Sequence, residues 1–418
     1  MKIGAVIATS IELIDEVLVS KQTSRFIINN HIKKNRFIGA KDKKFLYDLV
    51  FNTLKKYFSL IKVCEKNKVS VELRNLVLLN IFNQKIVTSL EEVYDGKYSI
   101  IAKKEDKQIL DIALQLEKKI LPSFPSWIEE RLSVSTLKKI NNIYKKILLE
   151  PKFDIAINIL SYSREEIRNK LTKLNIRCKN TICSPYGITV DKRIPKNNLK
   201  KIKKDFFEVQ DEGSQVMTML TNITSGTKVL DFCAGKGTKT IFIKNSFLEK
   251  EDIYAYDKDL NRLNELKKRI KELDINNIKV LSKISDLEKK FDVVLCDVPC
   301  TGTGTWRRRP ESIIRLKEDQ LNELVKVQAS ILNDASSYCK NGGELVYISC
   351  SLLYEENEEQ IKNFLKDNKN FKLIDIRKRW VNNFTSKLDS KEKFWITLTP
   401  DFLETDGFFI SILKKNLS

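Results

Sequence analysis

The sequence VLDFCAGKGTKT, residues 229–240, starts as a short apolar run and ends in a glycine-containing loop that opens a helical pattern. Glycines in such a loop let a ligand approach the backbone, and the following helix offers free N–H groups. The spacing lacks the GxxxxGK[ST] of phosphate loops and the full GxGxxG of dinucleotide-binding folds, which disfavours a nicotinamide cofactor. The stretch therefore predicts a strand, a ligand-binding loop and a helix, although a tight structural turn would look similar.

Three more apolar runs have the character of strands, at residues 253–256, 291–296 and 345–348. Between the last two, apolar residues recur at helical spacing over 321–335, and Gly342 with Gly343 is expected to end that helix. Alternating strands and helices predict a mainly parallel, doubly wound α/β sheet. Ligands of such sheets bind at the carboxyl ends of the strands.

The second strand is followed by Asp257, which lies 26 residues after Asp231. An acidic residue at this position can accept hydrogen bonds from the hydroxyl pair of a ribose. It could equally be the N-cap of the next helix. Combined with the glycine loop, Asp257 favours an adenosine-containing ligand.

The other two strands are each followed by a cysteine. DVPCTGTGT, residues 297–305, follows one strand and contains Cys300; ISCS, residues 348–351, ends the other and contains Cys350. Alone, each cysteine would more often be a small buried apolar residue. As a pair at one sheet edge beside a predicted cofactor site, they indicate thiolate chemistry.

WRRRPE, residues 306–311, directly follows the first cysteine loop. Its three arginines could contact phosphates, and Trp306 could stack on a base. The alternative is a surface cluster around the start of a helix.

The charge of the chain suggests a polyanionic partner. Lys and Arg number 75 and Asp and Glu 55, so the formal net charge is +20 over 418 residues. Nucleic acid is the first candidate, although a general bias toward lysine would give the same surplus. The lysine-rich run 196–204 is either a solvated linker or a phosphate-contacting patch.

The chain divides by pattern into three regions. Residues 1–145 have helical periodicity, 146–205 read as a small α+β module, and 206–418 carry the strand and helix alternation. Hydrophobic residues make up 42%, which excludes a wholly disordered chain.

The cysteine pattern argues against both zinc sites and disulfide scaffolds. The eight cysteines form no CxxC pair and are spread over a long chain. The first residues lack the apolar core of a signal peptide, and no run of 18 apolar residues occurs. We therefore expect a cytoplasmic protein with reduced thiols, no bound metal and no membrane partner, with a monomer as the default.

Together, residues 231–240, 297–311 and 349–358 resemble the S-adenosylmethionine-dependent RNA cytosine-5 methyltransferases of the NOP2/Sun family. The bacterial, RsmB-type branch that modifies 16S ribosomal RNA is the most similar. The resemblance covers about residues 150–418 and includes QDEGSQ at 210–215 and TDGFF at 405–409. In the N-terminal region, RFIGAKD at 36–42 resembles part of a NusB-like RNA-binding domain.

The resemblance implies a Rossmann-like class I methyltransferase sheet, preceded by the small α+β module and an all-α NusB-like domain. It implies transfer of a methyl group from S-adenosyl-L-methionine to cytosine C5 in 16S rRNA through a cysteine–C6 adduct. Cys350 would be the nucleophile, Cys300 would help remove the C5 proton and expel the thiolate, and Asp297 would hydrogen-bond the base and the methyl-donor region. The implied cofactor-binding residues are Cys233, Ala234, Gly235, Lys236, Gly237, Thr238, Lys239, Asp257, Asp286 and Asp297.

The chain departs from the family pattern in two places. Lys236, Gly237 and Thr238 stand where Pro-Gly-Gly is usual, and Ile348-Ser349 replaces a more usual Thr before the second cysteine. Three alternatives stay open: a transfer RNA cytosine-5 methyltransferase, a catalytically silent RNA-binding assembly factor and a small-molecule methyltransferase. The charge and the added N-terminal region argue against the last of these.

Overall fold

The computed structural model describes residues 1–191, 194, 206–287, 290–388 and 392–417. The chain forms two compact units, Met1–Glu150 with Thr305–Lys317, and Pro151–Gly304 with Glu318–Ser418. The division into three domains at 145 and 205 stays a prediction. The lysine run 196–204 lies outside the described residues.

The first unit is helical, as its periodicity predicted. Its helices are Ile3–Val19, Ser24–Lys34, Ala40–Lys55, Tyr57–Lys66, Leu73–Asn83, Leu90–Val93, Glu105–Gln115, Ser126–Glu129, Val134–Leu137, Ile140–Leu148 and Pro310–Arg315. The apolar stripe at Leu46, Leu49, Val50 and Leu54 is fully buried in the core of this unit. Burial of such a stripe is the main source of helix stability in a folded protein.

Trp306 is a core residue of the first unit, and the expectation that it stacks on a base is wrong. It is 1% exposed and stacks on Phe124 at 4.4 Å between ring centroids, with Tyr144 edge-on to it at 6.1 Å. Arg307 is also buried, whereas Arg309 is exposed. A buried aromatic cluster explains this tryptophan as packing, because large rings contribute most to a core when fully covered.

The second unit contains two sheets, whose strands are numbered in chain order. They are β1 Phe153–Ile157, β2 Cys178–Asn180, β3 Gly187–Val190, β4 Phe207–Val209, β5 Val229–Asp231, β6 Ile253–Tyr256, β7 Ile278–Leu281, β8 Phe291–Asp297, β9 Cys339–Ser349, β10 Phe371–Leu373, β11 Trp395–Leu398 and β12 Phe408–Lys415. Its α-helices are Arg164–Lys173, Glu212–Met219, Thr238–Phe247, Leu260–Leu273, Glu318–Ser336, Glu358–Asp367, Ile376–Asn383 and Pro400–Leu403.

The smaller sheet has the order β2-β3-β1-β4, and its pairs are antiparallel. Ile155 and Ile157 of β1 pack with Ile167 and Leu171 of the helix Arg164–Lys173. This confirms the predicted mixture of strand and helix in the region after residue 150.

The larger sheet has the order β10-β12-β9-β8-β5-β6-β7, with β11 paired to β12. The pairs among β7, β6, β5, β8 and β9 are parallel, whereas β12 is antiparallel to β9, β10 and β11. The chain leaves β5 toward β6 on one side and later returns to β8 on the other. A ligand crevice forms where the strand order reverses in this way, outside the carboxyl ends of β5, β6 and β8.

The boundary between the long helix and the fourth predicted strand differs from the one expected from the sequence. The helix ends at Ser336, and Gly342 and Gly343 lie inside β9. Gly342 has φ +74°, and a Cβ on Gly343 would lie 2.9 Å from the carbonyl oxygen of Phe291. These glycines therefore allow an irregular strand to approach β8 closely, and they do not cap the helix.

All eight cysteines lie within the described residues, and all are free. Across the described part of the chain, no helix is both long enough and apolar enough to span a lipid bilayer.

Candidate active site

The glycine loop predicted from the sequence connects β5 to the helix Thr238–Phe247. The N–H of Phe232 donates to Leu295 on β8 at 2.8 Å, and the N–H of Ala234 donates to Tyr256 on β6 at 2.9 Å. Gly235 and Gly237 have φ +55° and +81°, in the left-handed region that favours glycine. The loop is therefore held between the two neighbouring strands, with its glycines at the turns.

Asp257 holds this loop by its carboxylate. Its Oδ2 accepts from the N–H of Gly235 at 2.8 Å, and its Oδ1 accepts from the N–H of Asp259 at 2.8 Å. A carboxylate has about four acceptor positions, so capacity remains for a further donor. The N-cap of the next helix is Asp259, which accepts from the N–H groups of Asn261 and Arg262. The N-cap interpretation of Asp257 is therefore wrong.

A cavity of about 640 Å³ opens beside the loop, at the carboxyl ends of β5, β6 and β8. Its walls combine carboxylates with apolar and aromatic side chains. They are Phe232, Cys233, Tyr256, Asp257, Lys258, Asp259, Arg262, Ile284, Asp297, Pro299, Val327, Ser330, Ile331, Asp334, Ser337 and Tyr338. This size and mixture suit a nucleoside-sized ligand.

The predicted cofactor residues fall into three groups. Cys233, Asp257 and Asp297 line the cavity. Ala234, Gly235, Lys236, Gly237, Thr238 and Lys239 form the loop and the start of the helix, without lining it. The Asp286 side chain lies outside the described part of the structure; its backbone ends a 3-10 turn, Ile284–Asp286, and Ile284 lines the cavity.

Below the loop, Asp231 is a buried acid at the end of β5. Its Oδ2 accepts from the hydroxyl of Thr240 at 2.7 Å, and burial raises the pKa of its carboxyl to about 7. This hydrogen bond ties the strand end to the first turn of the helix Thr238–Phe247.

Lys239 and Asp297 form an ion pair at the mouth of the cavity. The Nζ of Lys239 lies 2.6 Å from Oδ2 of Asp297; the lysine side chain is 8% exposed and the aspartate side chain 34%. The buried lysine is therefore the partner that positions a carboxylate facing the cavity. Sequence analysis placed Lys239 with the cofactor, whereas the structure pairs it with Asp297.

The two predicted catalytic cysteines lie side by side. Their Sγ atoms are 3.1 Å apart, and the backbone N–H of Cys350 donates to the Sγ of Cys300 at 3.3 Å. The contact with Cys350, followed by burial, raises the pKa of the Cys300 thiol well above its ordinary value. The two sulfurs are therefore within hydrogen-bond distance, and either of them can donate.

A contact between two glycines aligns the cysteine loops with β12. Gly304 donates its N–H to the carbonyl of Cys350 at 2.9 Å and accepts from the N–H of Gly407 at 2.8 Å. A Cβ on Gly304 would lie 2.3 Å from the carbonyl oxygen of Gly407, so no other residue fits there. This contact explains two of the glycines in the 297–305 and 405–409 segments.

Sequence analysis missed two fully buried residues of this region, Glu356 and Gln328. Glu356 lies in the turn between Cys350 and the helix Glu358–Asp367, and the sequence gave no sign that this acid is buried. Gln328 lies on the helix Glu318–Ser336 and gave no signal, because one polar residue in an amphipathic helix is unremarkable. Both contact the loop that carries Cys300.

Glu358 should make the stability of the protein depend on pH. It is 5% exposed, and burial raises the pKa of its carboxyl from 4.5 to about 7. Because the native pKa is the higher one, this group favours the folded state below about pH 4.5, and that advantage disappears as the pH rises to about 7. Glu358→Gln should therefore gain about 1–3 kcal/mol of stability over the wild type between pH 5 and pH 8.

Urea unfolding of both proteins at pH 5, 6.5 and 8 checks this difference. Glu72, which forms an exposed ion pair with Lys103, is the control. Its change to Gln should give no comparable dependence of the stability difference on pH. A constant offset between wild type and Glu358→Gln across this pH range would contradict the prediction.

Comparisons with known proteins show which family the C-terminal half of the chain resembles. Residues 217–414 match the family described as 16S rRNA methyltransferase RsmB/F. A Photorhabdus laumondii protein named ribosomal RNA small subunit methyltransferase B is 29% identical over 299 residues, which cover 70% of this chain and 66% of that protein. A Coxiella burnetii protein named probable ribosomal RNA small subunit methyltransferase B is 24% identical, and the match covers 95% of this chain and 99% of that one.

Solved structures share the fold. The crystal structure of PH0851 covers 99% of both chains with a TM-score of 0.74 and 23% identity. NSun6 from Pyrococcus horikoshii, solved with SFG, covers 71% of this chain and 99% of its own, with a TM-score of 0.59 and 22% identity. The predicted Rossmann-like class I methyltransferase fold is confirmed. From the family match, we conclude that residues 217–414 belong to the 16S rRNA methyltransferase RsmB/F family.

Proposed function

We propose that this protein transfers a methyl group from S-adenosyl-L-methionine to C5 of a cytosine in 16S ribosomal RNA. The observation that carries the proposal is the pair of thiols, Cys300 and Cys350, 3.1 Å apart at the sheet edge that also forms the cavity. The names of the relatives support ribosomal RNA as the substrate. The structural relative solved with SFG, an analogue of S-adenosylmethionine, supports the cofactor.

The cavity fits such a cofactor by the chemistry of its walls. Asp257 retains acceptor capacity for ribose hydroxyls, and Phe232, Tyr256 and Ile284 offer apolar surface to an adenine ring. Asp297, at the other end, places a carboxylate where a positively charged sulfonium would be stabilised. When bound, S-adenosylmethionine supplies an electrophilic methyl group.

Cys350 acts in this proposal as the nucleophile. Cytosine C5 is a weak nucleophile until a thiolate adds to C6, which makes C5 enamine-like. The Cys350 sulfur forms a bond to C6, and the electron pair of the C5–C6 double bond would then form the bond to the methyl carbon. The methyl–sulfonium bond would break, and its electron pair would stay on the cofactor sulfur. The Sγ of Cys300, 3.1 Å away, lies within hydrogen-bond distance of the Cys350 sulfur.

Cys300 and Asp297 complete the reaction. Solvent water accepts the C5 proton, and the electron pair of the C5–H bond re-forms the C5–C6 double bond. The C6–S bond breaks at the same time, and its electron pair leaves with Cys350 as a thiolate. Cys300 assists both events from its position beside the leaving sulfur. Asp297, held by Lys239, hydrogen-bonds the base.

The target base must leave its stack to reach these thiols. Such extrusion is easiest for a base in a loop or in loosely paired RNA. The net charge of +20 would supply affinity for the phosphate backbone.

Bisulfite sequencing of ribosomal and transfer RNA from cells with and without the protein tests the function. Loss of one 5-methylcytosine from 16S rRNA is the expected result. Loss of a 5-methylcytosine from a transfer RNA would support the same chemistry on a different substrate. No loss from either RNA would overturn the proposal in favour of a silent RNA-binding role.

Asp257→Ala should weaken cofactor binding. A hydrogen bond to a charged group contributes about 1.5–3 kcal/mol, so the dissociation constant should rise about 10- to 100-fold. Calorimetric titration with S-adenosylmethionine measures it. Asp252→Ala is the matched control, because Asp252 precedes β6 at the opposite end of the same strand and pairs with Lys279. Equal affinity in the two variants would remove Asp257 from the site.

A further inference from the structure

The loop that carries Cys300 is held on both sides of the cysteine by one buried pair of side chains. Gln328 Nε2 donates to the carbonyl of Pro299 at 2.9 Å and to Oε1 of Glu356 at 2.9 Å. The N–H of Thr301 donates to the same Oε1 at 2.8 Å, and the Thr301 hydroxyl donates to Oε2. The residues immediately before and after Cys300 are therefore tied to a single carboxylate–amide pair.

Glu356 is also tied to the strand that carries the other cysteine. It follows Cys350 by six residues, and its backbone carbonyl accepts from the hydroxyl of Tyr347 on β9 at 2.5 Å. Tyr347 is fully buried and lies three residues before Cys350. Glu356 thus connects the two cysteine segments: its carboxylate holds the Cys300 loop, and its backbone carbonyl contacts the strand that leads to Cys350.

The environment of Glu356 gives its carboxylate a single orientation. The side chain is 0% exposed and accepts three hydrogen bonds whose donors are fixed by a loop and a helix. Moving a buried group of this kind breaks hydrogen bonds that water cannot replace, which costs free energy. The position of the carboxylate therefore determines the positions of its partners. Glu356 is not among the residues that line the 640 Å³ cavity.

We propose that Glu356 is a positioning residue that sets the separation and orientation of the Cys300 and Cys350 thiols, and thereby the rate at which the RNA adduct is resolved. The inference rests on the proposed function, in which Cys350 forms the adduct and Cys300 assists its resolution. The negative charge of Glu356 also contributes to the raised pKa of the Cys300 thiol, after the effects of Cys350 and burial.

Glu356→Gln tests the proposal with little change in side-chain size. The NH₂ group of the new glutamine replaces one carboxylate oxygen, so Thr301 or Gln328 loses the acceptor of its hydrogen bond. The Cys300 loop can then move. Displacement of a reacting group by about 1 Å costs about 10²-fold, so we expect kcat to fall about 10- to 100-fold. The KM for RNA and the dissociation constant for S-adenosylmethionine should change less than about twofold, because the substrate and cofactor surfaces are unaltered.

The second readout is the covalent complex itself. With Cys350 intact and Cys300 displaced, the adduct forms but resolves slowly, so a denaturant-stable protein–RNA band should accumulate during turnover. A purely structural role would lower activity in proportion to the folded fraction and leave no such band. If Glu356→Gln folds poorly, Thr301→Val serves as the second variant. It keeps the backbone hydrogen bond, removes only the hydroxyl and should show the same band at a lower level.

The matched control is Glu359→Gln. Glu359 lies three residues later, in the first turn of the helix Glu358–Asp367; it is only partly buried and loses the same charge when changed. It should have wild-type kcat and no accumulated adduct. Identical kinetics in the two glutamine variants would overturn the proposal.

A third measurement needs no RNA and separates this inference from the proposed function. Phenylarsine oxide bridges two neighbouring thiols, forming two As–S bonds with release of water. The wild-type Cys300–Cys350 pair should retain it, and Glu356→Gln should retain it about tenfold less, as mapped by peptide mass spectrometry. If the wild type forms no 5-methylcytosine but this difference remains, the proposed function fails while the positioning role stands. Equal retention in both proteins would overturn the positioning role.

Discussion

Changing Cys350 to Ala should reduce methyl transfer by about 10⁴-fold or more, to the detection limit. The reason is that Cys350 supplies the thiol in contact with Cys300, with 3.1 Å between the two Sγ atoms. Without the C6 adduct, C5 does not become nucleophilic, and a well-placed methyl donor cannot compensate. Incorporation of labelled methyl groups from S-adenosylmethionine into RNA measures the loss.

Two controls make the Cys350 result specific. Cofactor affinity should stay at the wild-type value, because Cys350 does not line the cavity. Cys178→Ala, which changes a partly exposed cysteine at the start of β2, should retain full activity. Normal turnover by Cys350→Ala would show that the nucleophile is wrongly assigned.

Changing Cys300 to Ala should have a different effect: the adduct forms and remains. Cys350 still attacks C6, but the group that assists removal of the C5 proton and expulsion of the thiolate is gone. Since a positioned proton-transfer group contributes about 10²–10⁴-fold, release of methylated RNA should slow by at least about 10²-fold. A denaturing gel with labelled RNA should show a stable protein–RNA complex in nearly stoichiometric amount.

The double variant Cys300→Ala with Cys350→Ala supplies the control. It should form no complex, because the sulfur that bonds to C6 is absent. If Cys300→Ala released product at the wild-type rate, the role proposed for Cys300 would be excluded. If the double variant still formed the complex, another nucleophile would have to be sought.

Much of the candidate site is local in sequence and could be predicted. The loop after β5, Asp257 after β6 and the cysteines after β8 and β9 each directly follow a strand. Parallel strands bring their carboxyl ends to one edge, so the alternation of strands and helices already implied that these residues converge. The structure confirms the predicted sheet and places Cys300 and Cys350 in contact.

The errors have a common cause. Trp306 follows a motif of the cavity edge, and nothing in the chain nearby shows that Phe124 and Tyr144 enclose it. Gly342 and Gly343 look like a helix stop, but the close approach of β8 to β9 uses them. In each case a contact between distant segments, rather than local preference, determined the role of the residue.

The sequence alone was sufficient for the fold class, for strands β5, β6, β8 and β9 and for placing two cysteines at one sheet edge, because periodicity and strand ends are local properties. The pairing of Lys239 with Asp297 and the contacts of Glu356 and Gln328 with the Cys300 loop depend on tertiary structure alone. These contacts join groups that are 29–58 residues apart in the chain and require each side chain to be held in the correct orientation. Only the packed sheet and helices supply that orientation, so the geometry that brings the two thiols together is a property of the fold.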